Sequence, residues 1–144
     1  PGVQFLPSAR VGARDVMNAQ RVIATKAAVE KTYHDDYLEW LADPAWHAPT
    51  GGELAVAVAR RSLEVIDQIK REHKEGKVLI ISHKATIRIL LCSLLGVDVG
   101  RFRYRFACPV ASLSVVEFSL TGPMLQTLAD RSHLPESLRN LPGT

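Results

Sequence analysis

Residues 53–96 constrain the fold most, because two helix patterns flank a short run of branched apolar residues. From Glu53 to about Glu75, apolar side chains recur at three- and four-residue steps, which predicts an amphipathic helix. The run Val78–Ile81 is typical of a strand buried on both faces. A second helix pattern begins near Lys84 and ends at Gly96. This helix–strand–helix order predicts an α/β layer fold.

Composition favours one folded domain and argues against nucleic acid as a partner. The 144 residues are 47% hydrophobic and 23% charged, which is too apolar for a disordered chain. The length is too short for two full domains. Eighteen Lys and Arg stand against fifteen Asp and Glu, a net charge of +3, which is too small to create a polyanion-binding field. We expect a single domain over residues 1–144.

The cysteines and the hydropathy pattern predict a cytoplasmic protein. Cys92 and Cys108 belong to no CxxC pair and to no histidine-rich metal spacing, so we expect free, buried thiols in a reducing compartment. No apolar run is long enough to cross a membrane, and no signal-like segment opens the chain, so we expect no membrane partner.

Changes in the spacing of apolar residues predict the remaining helices and strands. Residues 16–27 and 33–40 show helical spacing. Residues 111–118 and 124–129 are extended segments around a turn, which predicts a β-hairpin.

The segment Arg101–Phe106 alternates basic and aromatic residues, a pattern that can bind single-stranded nucleic acid or assist an anionic substrate. We favour a strand or loop with one packed and one charged face.

His83 is the strongest candidate for chemistry. It follows the apolar run directly, and the helix after it offers free backbone N–H groups and the positive end of its dipole. Open α/β folds bind ligands at the carboxyl ends of their strands. A histidine there can donate a hydrogen bond to a phosphate oxygen, and Arg88 adds a positive charge one turn further on. A histidine that merely caps the helix would give the same pattern.

The order of motifs in this chain resembles the histidine phosphatase superfamily, also called phosphoglycerate mutase-like, over about residues 29–134. The resemblance rests on Pro-Thr-Gly-Gly-Glu (49–53), a long amphipathic helix, Val-Leu-Ile-Ile-Ser-His (78–83), Arg88, Leu-Leu-Gly (94–96) and the closing strands. It implies a three-layer sandwich with a mostly parallel sheet flanked by helices, with residues 1–28 divergent or truncated. It also implies action on small phosphate monoesters, as a phosphatase or a phosphomutase, without metal or cofactor.

The resemblance assigns a role to His83 and bears on its neighbour Lys84. His83 corresponds to the second catalytic histidine of the family, which holds the transferred phosphoryl group and stabilises its developing charge. Lys84 stands where the family usually has glycine, so its side chain either crowds the phosphate or adds a charge to it. Together with Arg88, these two residues form the expected phosphate-binding set.

The family's nucleophile is missing from this sequence. Members open with an apolar strand followed by Arg-His-Gly, whose histidine becomes phosphorylated, and no Arg-His-Gly occurs here. The chain is therefore a fragment of an active phosphatase, a truncated relative without catalysis, or an unrelated domain that mimics the carboxyl-terminal half. We expect a family member with an incomplete N-terminal part. The alternative function is a non-catalytic phosphate-binding or dimerisation module of the same fold.

Two further predictions concern partners. His34, Asp35, Asp36 and His47 are candidate metal ligands, but helical spacing separates their side chains, and we expect a solvated face and no metal site. Without the family's first strand, the sheet edge beside Val78–Ile81 would be unpaired, and we expect a homodimer to cover it.

Overall fold

The computed structural model describes residues 31–49 and 52–141 as a set of helices and one β-hairpin. The elements are α1 (His34–Ala42), α2 (Ala55–Glu72), α3 (Lys84–Leu94), a 3-10 turn (Val99–Arg101), α4 (Phe102–Arg105), β1 (Leu113–Ser119), β2 (Gly122–Asp130) and α5 (Glu136–Arg139). These bounds confirm the predicted helices near 33–40, 53–75 and 84–96. The helix predicted at 16–27 lies outside the described residues.

Helix α2 forms because its apolar residues share one face. Its buried side chains, Ala55, Val58, Ala59, Ser62 and Ile66, recur at three- and four-residue steps. Lys70 and Arg71 occupy the last turn, where their positive charges interact favourably with the negative end of the helix dipole. The buried face packs against α3, and their contact forms the centre of the core.

Helix α3 supplies the other half of that core. Ile89 and Cys92 are fully buried and cluster with Val58 of α2 and with Phe102. The helix ends at Leu94, and Gly96 just beyond it has a φ of +67°, the left-handed conformation that commonly terminates helices. The predicted end of this helix is therefore confirmed.

The segment after α3 corrects one prediction. Residues 101–106 are helical at their start, and not the expected strand or loop with one packed and one charged face. The Asp98 carboxylate accepts a hydrogen bond from the Gly100 N–H at 2.8 Å, which begins the 3-10 turn. Phe102 then enters the core, and Phe106 packs against the same cluster. Phe102 and Phe106 are four residues apart, a spacing that fits both a helix and an alternating strand. The cap by Asp98 favours the helix.

The apolar run at 78–81 is half-covered, which corrects the prediction of burial on both faces. Val78 and Ile80 are half-buried, whereas Leu79 is 41% and Ile81 is 81% exposed. Side chains alternate along an extended segment, so one face is covered and the other is open. In the described part of the chain, only Val78 forms a strand-like bridge in this run.

The carboxyl-terminal hairpin confirms its prediction. Strands β1 and β2 pair antiparallel, with Glu117 opposite Met124, and they form the one sheet within the described residues. The turn is Leu120-Thr121, and Gly122 after it adopts a φ of +113° that other residues rarely tolerate. The mostly parallel three-layer sheet remains a prediction.

Candidate phosphate site

His83 lies at the start of α3 with its side chain exposed. Its backbone is extended, with φ −83° and ψ 152°, and its carbonyl accepts a hydrogen bond from the Ile87 N–H at 2.9 Å. The first turn of the helix is thus closed by the main chain. Within the described residues, the imidazole makes no capping hydrogen bond to the helix. The simpler interpretation, a histidine side chain that caps α3, is therefore not what the structure shows.

Two cations follow His83 on the helix. Lys84 and Arg88 are four residues apart, which places them on one side of α3 about one turn from each other. Both side chains are half-buried. The Arg88 Nε atom is buried and has no hydrogen-bond acceptor among the described residues. A guanidinium N–H without an acceptor is a donor that an anion can satisfy.

The described first turn of α3 contains no acidic side chain. None there therefore offsets the positive end of the dipole. Backbone N–H groups at a helix start bind anions readily. The arrangement can therefore hold an oxyanion by hydrogen bonds and charge, with an exposed imidazole beside it.

Cys92 offers no alternative nucleophile at neutral pH. Cys92 and Cys108, both in the described part of the chain, are buried and free, which confirms that prediction. Burial raises the pKa of the Cys92 thiol to about 11, with the nearby Asp98 charge adding to the effect. A thiol with this pKa is almost entirely protonated and poorly nucleophilic near pH 7.

The candidate metal ligands are not brought together. Across residues 31–49 and 52–141, no group of three or more His, Cys, Asp or Glu side chains has a geometry that could hold a metal ion. The side chains of His34, Asp35 and His47 are exposed.

None of the helices described is long and apolar enough to cross a membrane.

One contact has no signal in the local sequence pattern. The Arg103 guanidinium lies over the Trp40 ring, with its carbon 4.1 Å from the ring centroid. Trp40 belongs to α1 and Arg103 to α4, so no local periodicity could have paired them. The alternation of residues 101–106 indicated charged and aromatic side chains, but not this partner.

Comparison with known proteins identifies the family. The model of the histidine phosphatase superfamily (branch 1) matches residues 20–131. Phosphoserine phosphatase 1 of Hydrogenobacter thermophilus is 30% identical over 108 residues, which is 75% of this chain and 51% of that protein.

Solved structures show the same fold. Bacillus stearothermophilus YhfR superposes with a TM-score of 0.70 at 20% identity, over 77% of this chain and 55% of that one. A putative alpha-ribazole-5'-P phosphatase from Escherichia coli gives a TM-score of 0.62 at 20% identity, over 73% of this chain and 51% of that one. The chain thus spans about half the length of these relatives. It belongs to the histidine phosphatase superfamily.

Proposed function

We propose that this chain carries the phosphate-holding part of a histidine phosphatase that hydrolyses small phosphate monoesters without metal or cofactor. The observation that carries the proposal is the exposed His83 at the start of α3, with Lys84 and Arg88 following it on the helix. Two of the relatives with a named activity are a phosphoserine phosphatase and a putative alpha-ribazole-5'-P phosphatase, which favours hydrolysis over phosphate migration.

The site suits a phosphate dianion. Backbone N–H groups of the first turn of α3 can donate to phosphate oxygens, and the dipole end stabilises their charge. The His83 imidazole can donate a further hydrogen bond, and Arg88 Nε supplies a donor that the described residues leave unpaired. Lys84 adds a positive charge at the same end. In phosphoryl transfer, such donors stabilise the charge that spreads over the equatorial oxygens.

A second candidate is a non-catalytic phosphate-binding or dimerisation module of the same fold. It requires phosphate binding through His83 but no phosphorylated histidine, and these 144 residues contain no Arg-His-Gly motif. The dimer is favoured by Leu79 and Ile81, whose exposed side chains share one side of an extended segment. In that case a second copy covers this edge.

The proposal also includes the architecture of the sheet and the location of the protein in the cell. A mostly parallel, three-layer sheet is supported by the resemblance in fold to YhfR. A cytoplasmic location is supported by the free, buried Cys92 and Cys108.

The test compares turnover with binding. Hydrolysis of p-nitrophenyl phosphate in EDTA and calorimetric binding of inorganic phosphate are measured for the wild type, for His83→Ala, and for His47→Ala as an exposed-histidine control. Metal-free turnover that only His83→Ala loses supports the phosphatase. Phosphate binding that His83→Ala loses, without turnover in any protein, supports the module. Failure of the wild type to bind phosphate contradicts both the phosphatase and the phosphate-binding module. Light scattering at micromolar concentration tests the dimer, and a monomer counts against it.

A further inference from the structure

A second positively charged surface lies on α4, away from the start of α3 in sequence. Its centre is Arg103, whose guanidinium carbon is 4.1 Å from the centroid of the Trp40 ring and 6.0 Å from that of Tyr104. Such distances are typical of cation–π contacts. Arg103 is half-buried, whereas Tyr104 is 59% exposed, so the surface is open to solvent on the tyrosine side.

Arginines outnumber carboxylates around Arg103. Arg101 and Arg105 flank it, and both are exposed. The one ion pair that the described residues form in this segment joins Arg101 Nε to Asp98 at 4.0 Å, the limit of a direct contact, and both side chains are more than half exposed. A pair of that kind neutralises little charge. Three arginines therefore stand against two nearby carboxylates, those of Asp98 and of Asp43, whose Oδ1 atom would lie 2.9 Å from a Cβ atom at Gly100.

The Arg103 guanidinium has a hydrogen-bond donor to which the described residues offer no acceptor. A guanidinium that stacks on a ring uses its flat face for the ring and keeps its in-plane N–H groups for oxygen acceptors. The Nη1 atom is buried, and the described residues provide it with no acceptor. Leaving such a donor unpaired is unfavourable by about 1–3 kcal/mol, so an acceptor that reaches it is bound favourably.

We infer that Arg103, fixed against Trp40 and flanked by Arg101 and Arg105, forms an oxyanion site that binds a carboxylate or phosphate group of a small ligand. The planar fork of Arg103 receives two oxygens of the anion, and Trp40 restricts the rotation of the guanidinium before binding. Arg101 and Arg105 raise the local anion concentration through their charge. This inference does not depend on His83.

Trp40 provides the probe for a direct test. In a Trp46→Phe background, which replaces an exposed side chain, Trp40 is the one remaining tryptophan. Its fluorescence is followed while inorganic phosphate or acetate is added, with sodium chloride at matched ionic strength as the reference. The same titrations are run on Arg103→Lys, which keeps the charge but loses the fork, on Arg101→Lys as the matched control, and on His83→Ala.

The inference predicts a saturable change with at least one of the two anions, weakened roughly tenfold or more by Arg103→Lys and retained in Arg101→Lys and His83→Ala. Saturation by acetate identifies a carboxylate site, and saturation by phosphate alone identifies a phosphate site. A response no different from that of sodium chloride, or one that Arg103→Lys leaves unchanged, overturns the inference. Because Arg103→Lys could also unfold the chain, circular dichroism is recorded, and the guanidinium NMR signals of the wild type are followed in parallel. If these guanidinium signals shift with neither anion, the inference is also overturned.

Discussion

Arg61 donates hydrogen bonds from Nε to Oε1 of Glu53 at 3.0 Å and from Nη2 to Oε2 at 3.1 Å. Both side chains are about three-quarters buried, with exposures of 27% and 23%. Glu53 lies just before α2, and Arg61 lies two turns later along it. The bidentate pair therefore fixes the chain at Gly52-Glu53, where the resemblance to the family places the turn before the helix.

The Glu53–Arg61 pair should contribute measurably to stability, because a two-point contact at partial burial exceeds an ordinary surface ion pair. We expect Arg61→Lys to lower the free energy of unfolding by about 1 kcal/mol, measured by urea denaturation. The exposed neighbour Arg60 gives the control, and Arg60→Lys should change it by less than about 0.5 kcal/mol. Equal effects of the two substitutions would show that the fork has no special role.

Gly100 should tolerate no side chain. A Cβ at this position would lie 2.9 Å from Asp43 Oδ1 and 3.2 Å from Asp98 Oδ1. Both oxygens already accept hydrogen bonds, from the Ala45 N–H and the Gly100 N–H respectively. We expect Gly100→Ala to cost about 1–3 kcal/mol in thermal or chemical unfolding. Adding Asp43→Ala should recover part of that loss, and a simple sum of the two single effects would contradict the clash.

Cys92 should make stability depend on pH under alkaline conditions. Burial raises its pKa from 9.0 to about 11. Between these pH values the folded state keeps the thiol proton and the unfolded state releases it. The free energy of unfolding is therefore unaffected by the ionisation of Cys92 below pH 9 and falls as the pH rises towards 11. The loss is at most about 2.7 kcal/mol. We expect Cys92→Ala, although less stable at pH 7, to lose less stability over this interval, and a parallel pH profile would refute the assignment.

The Thr86 hydroxyl should be dispensable. Thr86 is 1% exposed on α3, and its Oγ1 has no hydrogen-bond partner among the described residues. Valine has the same shape and removes the unpaired polar group, so Thr86→Val should raise the free energy of unfolding by about 1 kcal/mol. Phosphate affinity should be unchanged, because Thr86 lies two residues from Lys84 and thus on another side of the helix. A fall in either quantity would assign the hydroxyl a partner.

Local patterns were sufficient where one face of an element determines its structure. The apolar spacing of α2, the Gly96 end of α3 and the alternation around Gly122 were all visible in the sequence, and the structure confirms them. These elements are set by periodicity and by backbone conformations that glycine favours. The positions of His83 and Arg88 at the start of α3 follow from the same reasoning.

Patterns failed where a distant residue decides the outcome. The run at 78–81 is apolar throughout, yet its open face at Ile81 depends on what packs beside it. Residues 101–106 are an exception with a local cause, because they alternate like a strand, yet the carboxylate of the nearby Asp98 begins a helical turn there. The contact of Arg103 with Trp40 joins two elements far apart in sequence. Such contacts are tertiary, so local propensity does not specify them.

The central claim is that His83 holds a phosphate at the start of α3. Its most direct test follows the imidazole NMR signals of the histidines while inorganic phosphate is added at constant pH and ionic strength. The account predicts a saturable shift of the His83 signals, with those of the exposed His34 and His47 unchanged, and the same binding constant by calorimetry in His47→Ala but not in His83→Ala. A His83 signal that stays in place, or moves only as much as the other two, would contradict it.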